Sequence, residues 1–279
     1  MTQTLRIGVV QTTTGINPAA NARALVAALE QAKAGGAEIA FTPEMSGLLD
    51  RDRRRIFETA ASEAEDIVLA TVCETAARLG LWVHLGSLAL KPAADADRLV
   101  NRGFVIDGTG AIRARYDKMH LFDVDLPTGE RYRESATYVP GEQAVVTDTP
   151  WGRLGLSICY DLRFPRLYET LSGAGATILS VPAAFTRPTG KAHWHTLLTA
   201  RAIEAAAFVV AAAQTGVHED GRETFGHSLV IDPWGTVLHD GGEAPGVACV
   251  DLDLGAIETA RGRIPVIAHR RDIRLAGVE

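Results

Sequence analysis

Cys159 is the residue around which a reaction can be written. It ends the apolar run of residues 152–165 (GRLGLSICYDLRFP), in which Leu154, Leu156 and Ile158 alternate as in a buried strand. Polar Tyr160 and Asp161 follow, and Pro165 suits the first turn of a helix. The spacing predicts a strand, a sharp turn carrying the thiol, and a helix. A nucleophile on such a turn leaves the next backbone N–H, that of Tyr160, free to hold an oxyanion. A free cysteine is also a common small hydrophobe of protein interiors, so on this stretch two readings stand.

Two charged residues occupy the same kind of position. Glu44 follows Pro43 at the end of an apolar run over 37–41, and Lys118 follows a strand-like run over 111–116. In α/β proteins, catalytic groups gather outside the carboxyl ends of strands. A carboxylate can take a proton, an ammonium can stabilise an oxyanion, and a thiol can attack a carbonyl. Equally, Glu44 could cap a helix and Lys118 could be a surface lysine. Spacing alone leaves their convergence open.

The elements that must position these groups follow from periodicity and turn residues. A first strand is predicted over 5–10, an Ala-rich helix over 18–33 closed by Gly35 and Gly36, and a strand over 37–41. The charged run 51–55 reads as a solvated helix face. A helix over 63–79 ends at Gly80, and strands over 81–90 and 99–106 lead to a turn at 107–110. The segment 121–138 has little periodicity and holds Pro127, Gly129 and Glu134; long irregular loops are often functional. Beyond Cys159, helices are predicted over 164–174, 191–205 and 254–261, and strands over 177–181, 208–213, 228–231, 236–239 and 246–252. No linker divides the chain, which predicts one α/β domain over 1–279 with two sheets and helices outside.

A net charge of −6 argues against a nucleic-acid binder. Hydrophobic residues at 47% are ample for a large core, yet no apolar run is long enough to span a bilayer. The N-terminus lacks the features of a signal peptide. Three cysteines, Cys73, Cys159 and Cys249, are an odd number without framework spacing, as expected of free thiols in a reducing cytoplasm. Cys73 and Cys249 read as core residues.

Residues 41–44 (FTPE), 116–123 (YDKMHLFD) and 155–165 (GLSICYDLRFP) resemble, in that order, the three signature segments of the nitrilase superfamily of carbon–nitrogen hydrolases. Residues 192–194 (AHW), 201–204 (RAIE), 225–228 (FGHS), 232–235 (DPWG) and 264–266 (IPV) resemble its Nit-type amidase branch. The resemblance implies an αββα sandwich with two central mixed sheets, a homodimer, a small-molecule amide substrate, and neither metal nor organic cofactor. It implies Cys159 as nucleophile, Glu44 as general base and Lys118 as the cation beside the oxyanion. Family members carry a second glutamate between the Lys and Cys segments, and Glu134 in 133–135 (RES) matches it.

With Tyr160 at the oxyanion, Arg163 on the same turn is the candidate for a substrate carboxylate, which a guanidinium grips as a fork. Pairing with Asp161 is its alternative. Residues 211–216 (AAAQTG), followed by 225–228, resemble the group of the branch that acts on deaminated glutathione more than the ω-amidase group. A carbamoyl hydrolase or nitrilase would share the chemistry, and a non-catalytic scaffold would share only the fold. His193 and His195 lack the i,i+4 spacing of a helical metal pair, and His120, His218 and His227 read as structural.

Overall fold

A computed structural model describes residues 4–92, 97–125 and 129–277; Pro127 and both chain ends lie outside the described residues. The chain runs β1 (Thr4–Gln11), α1 (Pro18–Ala34), β2 (Ile39–Phe41), α2 (Arg53–Thr59), α3 (Ile67–Leu79), β3 (Trp82–Leu90), β4 (Val100–Ile106) and β5 (Ile112–Asp117). A small hairpin follows, β6 (Asp123–Asp125) and β7 (Arg131–Arg133), then a 3-10 turn at Glu134–Ala136. Next come β8 (Val145–Thr149), β9 (Gly152–Leu156), a second 3-10 turn at Cys159–Arg163, α4 (Pro165–Gly173), β10 (Ala176–Ser180), α5 (Arg187–Ala205) and β11 (Phe208–Ala211). The chain closes with β12 (Thr215–Val217), β13 (Glu223–Phe225), β14 (Leu229–Ile231), β15 (Val237–Asp240), β16 (Gly246–Asp253) and α6 (Gly255–Arg263).

Two six-stranded mixed sheets result, ordered β16-β1-β2-β3-β4-β5 and β8-β9-β10-β11-β14-β15. Read in those directions, both follow one sequence of pairings: antiparallel, parallel, parallel, antiparallel, antiparallel. The repeat lies in topology, since the sequence halves show none. The sheets face each other across one apolar core that joins Leu5, Ile7, Phe41 and Val105 to Leu154, Leu156, Ile178 and Val209. Leu167, Leu171, Trp194 and Leu198 of α4 and α5 pack in the same cluster. On the far side of the first sheet, Leu25 and Leu29 of α1 and Val68 and Val72 of α3 cover Val83, Leu85 and Phe104. The layers are therefore helix, sheet, sheet, helix. His84 of β3 reaches Ser180 of β10 at 3.2 Å between the sheets, and burial pushes its imidazole down to about 3, so it stays neutral.

Several expected boundaries move for local reasons. α3 starts at Ile67, because the Asp66 side chain accepts the Leu69 amide and caps the helix there. α5 starts at Arg187, a turn before the expected Lys191, because Pro188 fits the first turn. Cys249 is exposed rather than core, since β16 is an edge strand, and Cys73 is half-buried. The β12–β13 hairpin was not foreseen, although Asp220 and Gly221 form the Asp-Gly pair of a tight turn. No helix among the described residues is long and apolar enough to cross a membrane.

Candidate active site

Glu44 stands just past β2 because the chain turns there at once. Pro43 ends the ladder, and Met45 takes a left-handed backbone (φ 55°). Ser87 holds the turn: its hydroxyl accepts the Met45 amide at 3.0 Å and its carbonyl the Ser46 amide at 3.0 Å. The close approach of β3 depends on Gly86, where a Cβ would lie 2.1 Å from the Thr42 carbonyl oxygen.

Cys159 sits at the strand-to-helix turn that the sequence predicts. Its backbone is left-handed (φ 52°), a costly conformation for a non-glycine residue, and its amide donates to Pro182 O at 2.9 Å. Asp161 holds the turn. Its carboxylate accepts the Ile158 amide (2.8 Å), the Tyr116 hydroxyl (2.7 Å) and the His120 amide (3.0 Å). The His120 ring also meets it at 2.6 Å and stacks on Phe164. These bonds tie the Cys159 turn to β5 and the residues after Lys118. The Tyr160 amide is second in a 3-10 turn, where N–H groups have no partner within the turn.

Lys118 follows β5 and is 2% exposed. Its ammonium donates to Glu44 Oε1 at 2.9 Å and to both Glu134 oxygens at 2.9 Å. Glu134 opens the first 3-10 turn and also accepts the Phe122 amide at 2.6 Å. The second Glu44 oxygen accepts the Ala184 amide at 2.8 Å. Asn101 of β4 donates to Glu44 at 2.9 Å and reaches Glu134 at 3.4 Å. The Cys159 thiol lines the same cavity, close enough to Glu44 and Lys118 for each to shift the others' hold on a proton.

Burial alone would push the Glu44 carboxyl up. The Lys118 charge and hydrogen bonds from Cys159, Lys118 and Asn101 override it and hold Glu44 below the usual range. Burial likewise opposes charge on Lys118, but Glu134 and Glu44 keep it well above its ordinary value. The Cys159 thiol goes the other way. Burial, then the Glu44 carboxylate, push it well above its usual value, and the opposing pull of Lys118 is too small to produce a thiolate. The resting arrangement is thus a neutral thiol against a carboxylate, and a base must remove the proton as the sulfur attacks.

These groups line a cavity of about 350 Å³, with Tyr160, Met45, Phe122, Tyr138 and Phe185 among its other walls. Arg163 does not line it. In a 3-10 turn residues i and i+3 eclipse, so its guanidinium falls over the Tyr160 ring (6.0 Å), the Phe185 ring (5.4 Å) and His193 (3.3 Å). Nor does Arg163 pair with Asp161, whose oxygens serve Tyr116, His120 and Ile158. Arg51 and Arg222 line the cavity instead. Sequence reasoning passed over both, along with Asn101 and the Ala184 amide. His195, His227 and Asp240 form a separate cluster with ligand atoms within 4.8 Å of one another; in it Asp240 accepts from both rings, and none of the three lines the cavity.

The chain is 41% identical over 237 residues to a deaminated glutathione amidase of Yersinia enterocolitica, covering 85% of this chain and 82% of that one. It is 41% identical over 277 residues to the protein of the same name from Dictyostelium discoideum, covering 97% and 95%. The crystal structure of the C. elegans NitFhit protein superposes with a TM-score of 0.90 at 40% identity, over 97% of this chain and 66% of that longer one. The profile of the carbon–nitrogen hydrolase family matches residues 6–262, a span that holds Glu44, Lys118, Glu134 and Cys159, and the chain belongs to that family.

Proposed function

We propose that the chain hydrolyses a linear amide through a thioester on Cys159, with deaminated glutathione as substrate and 2-oxoglutarate and cysteinylglycine as products. The observation that carries the chemistry is the meeting of Cys159, Glu44 and Lys118 on one cavity, with the Lys118 ammonium 2.9 Å from the Glu44 carboxylate. Glu44 takes the thiol proton while sulfur bonds to the amide carbonyl carbon. Lys118 and the Tyr160 N–H stabilise the oxyanion. The C–N bond breaks as Glu44 returns that proton to the leaving nitrogen. Water then gives a proton to Glu44, attacks the thioester and releases the acid, and the departing sulfur recovers the proton. Glu134 anchors Lys118 through both of its carboxylate oxygens.

The choice of substrate is supported by the names of the relatives and by the arginines on the cavity wall. Deaminated glutathione is expected to give a higher kcat/KM than 2-oxoglutaramate, with little activity on aliphatic nitriles. Assaying amine, ammonia and acid release with one preparation checks this; the reverse order assigns an ω-amidase.

The proposal includes a cytoplasmic homodimer. Ile203, Trp234, Val237 and Leu238 are exposed apolar residues on α5, β15 and the turn between β14 and β15, and Ile273 and Leu275 lie exposed in the tail. Sedimentation equilibrium at micromolar concentration is expected to give twice the 29.8 kDa chain mass. A clean monomer contradicts it.

A further inference from the structure

A substrate of the proposed class carries a carboxylate, and the cavity must receive it. Lys118 is engaged by Glu44 and Glu134, and Arg163 lies elsewhere. Four guanidinium groups line the cavity: Arg51, Arg131, Arg133 and Arg222. The side chains of Arg131 and Arg133 are 80% and 50% exposed, and both lean on Asp125. Arg51 is 43% exposed and stands 3.8 Å from Glu130.

Arg222 differs from the other three. Its side chain is only 19% exposed; its Nε forms an ion pair with the buried Asp220 carboxylate at 3.7 Å, too long for a hydrogen bond, so neither Nε nor that Asp220 oxygen has a hydrogen-bond partner among the described residues. Its Nη2 makes one long contact, 3.4 Å to the carbonyl oxygen of Asp50. The Asp50 carboxylate is held by Arg55 and the Asp52 amide. A guanidinium has five N–H donors, and a desolvated donor left unpaired is costly.

The backbone beneath this group is fixed. Arg222 ends the loop of the β12–β13 hairpin, where Gly221 turns the chain (φ 80°). The Arg222 amide donates to Asp220 Oδ1 at 2.8 Å, and its carbonyl accepts the His218 amide at 2.8 Å. The loop is tied to the segment after β1: Glu219 accepts the Ile16 amide at 3.0 Å, and the His218 ring meets Thr14 O at 2.9 Å. Arg51 and Arg222 both line the cavity that holds Cys159.

We propose that Arg222, with Arg51 as a second cation of the same cavity, forms the subsite for a substrate carboxylate remote from the scissile amide. The subsite rests on the amidase reading and gives it a selectivity, for carboxylate-bearing amides over neutral ones.

The test uses Arg222→Gln and Arg222→Lys on four amides. Pentanamide has no carboxylate, 2-oxoglutaramate has one on the acyl side, pentanoyl-cysteinylglycine has one on the amine side, and deaminated glutathione has both. For Arg222→Gln, kcat/KM for at least one carboxylate-bearing amide, relative to pentanamide, is expected to fall about 10- to 100-fold, as for a charge-assisted hydrogen bond. The loss should lie mainly in KM, and Arg222→Lys should recover part of it, keeping charge without the fork. A fall confined to 2-oxoglutaramate assigns the acyl end, and one confined to pentanoyl-cysteinylglycine assigns the amine end; either supports the subsite. Equal loss on all four, or relative values within about twofold of the parent protein, overturns it.

Should the parent protein turn over none of the four, the amidase reading fails by itself. Calorimetric binding of deaminated glutathione to Cys159→Ala, with and without Arg222→Gln, then decides. Binding lost with the arginine supports the subsite, and equal affinity or no binding overturns it.

Discussion

Cys159→Ala is expected to lose turnover by about 10⁵-fold or more, the scale on which removal of a covalent nucleophile is felt. The buried methylene remains, so cooperative unfolding should persist with a small shift in midpoint. In the parent protein, mixing with substrate followed by rapid acid quench should trap an acyl adduct, and digestion should map it to Cys159. Full activity in the variant, or an adduct on Cys73 or Cys249, would overturn the assignment. Acyl trapping is the better reporter here because alkylation reads exposure and thiolate content. Cys249 is exposed on an edge strand, whereas Cys159 is buried with its proton held. Iodoacetamide would therefore mark Cys249 ahead of a fully competent Cys159. Burial and the Glu44 carboxylate keep the proton on Cys159 at rest, so its transfer to Glu44 must accompany attack on an electrophile.

Glu44, Lys118 and Cys159 were legible because each closes an apolar run, and the ends of these runs meet where the sheets face each other. Asn101 was not, because a polar residue inside a strand points to the site or away from it according to register. The register that pairs Asn101 with Ala89 is set by an irregularity in β3 around Gly86. The Ala184 amide was illegible in principle, since a backbone N–H has no residue identity. Arg163 failed through the turn geometry: four residues past the thiol is near in sequence, but a 3-10 turn carries it over Tyr160 and out of the cavity. Arg222 failed because its hairpin strands have three residues each, too short to show alternation. Arg51 was read with the solvated run that follows it, yet α2 begins only at Arg53, leaving Arg51 on the cavity side.

Glu44→Gln and Lys118→Met are each expected to lower turnover by about 10²- to 10⁴-fold, the range for a general base or an oxyanion-side charge. The double variant should fall little below the worse single one, since the two act in one proton transfer. The pH profile separates their roles. Turnover requires the Glu44 carboxylate, which is held below the usual range, so kcat/KM in the parent protein should stay level as pH falls through the ordinary carboxyl range and decline only below it. In Lys118→Met burial acts on Glu44 without its main opposing charge, and the acid limb should move upward toward neutral pH. Stability follows the same logic. A carboxyl with a depressed folded value contributes stability above its unfolded value, lost as pH falls through the folded one. Lys118→Met leaves the Glu44 charge buried beside Glu134, a loss of about 3–5 kcal/mol. The double variant removes one of those two charges, so it should unfold at a higher temperature than Lys118→Met alone while remaining as inactive. Near-normal turnover in either single variant, or losses that simply multiply in the double one, would show that the pair does not work as a unit with the thiol.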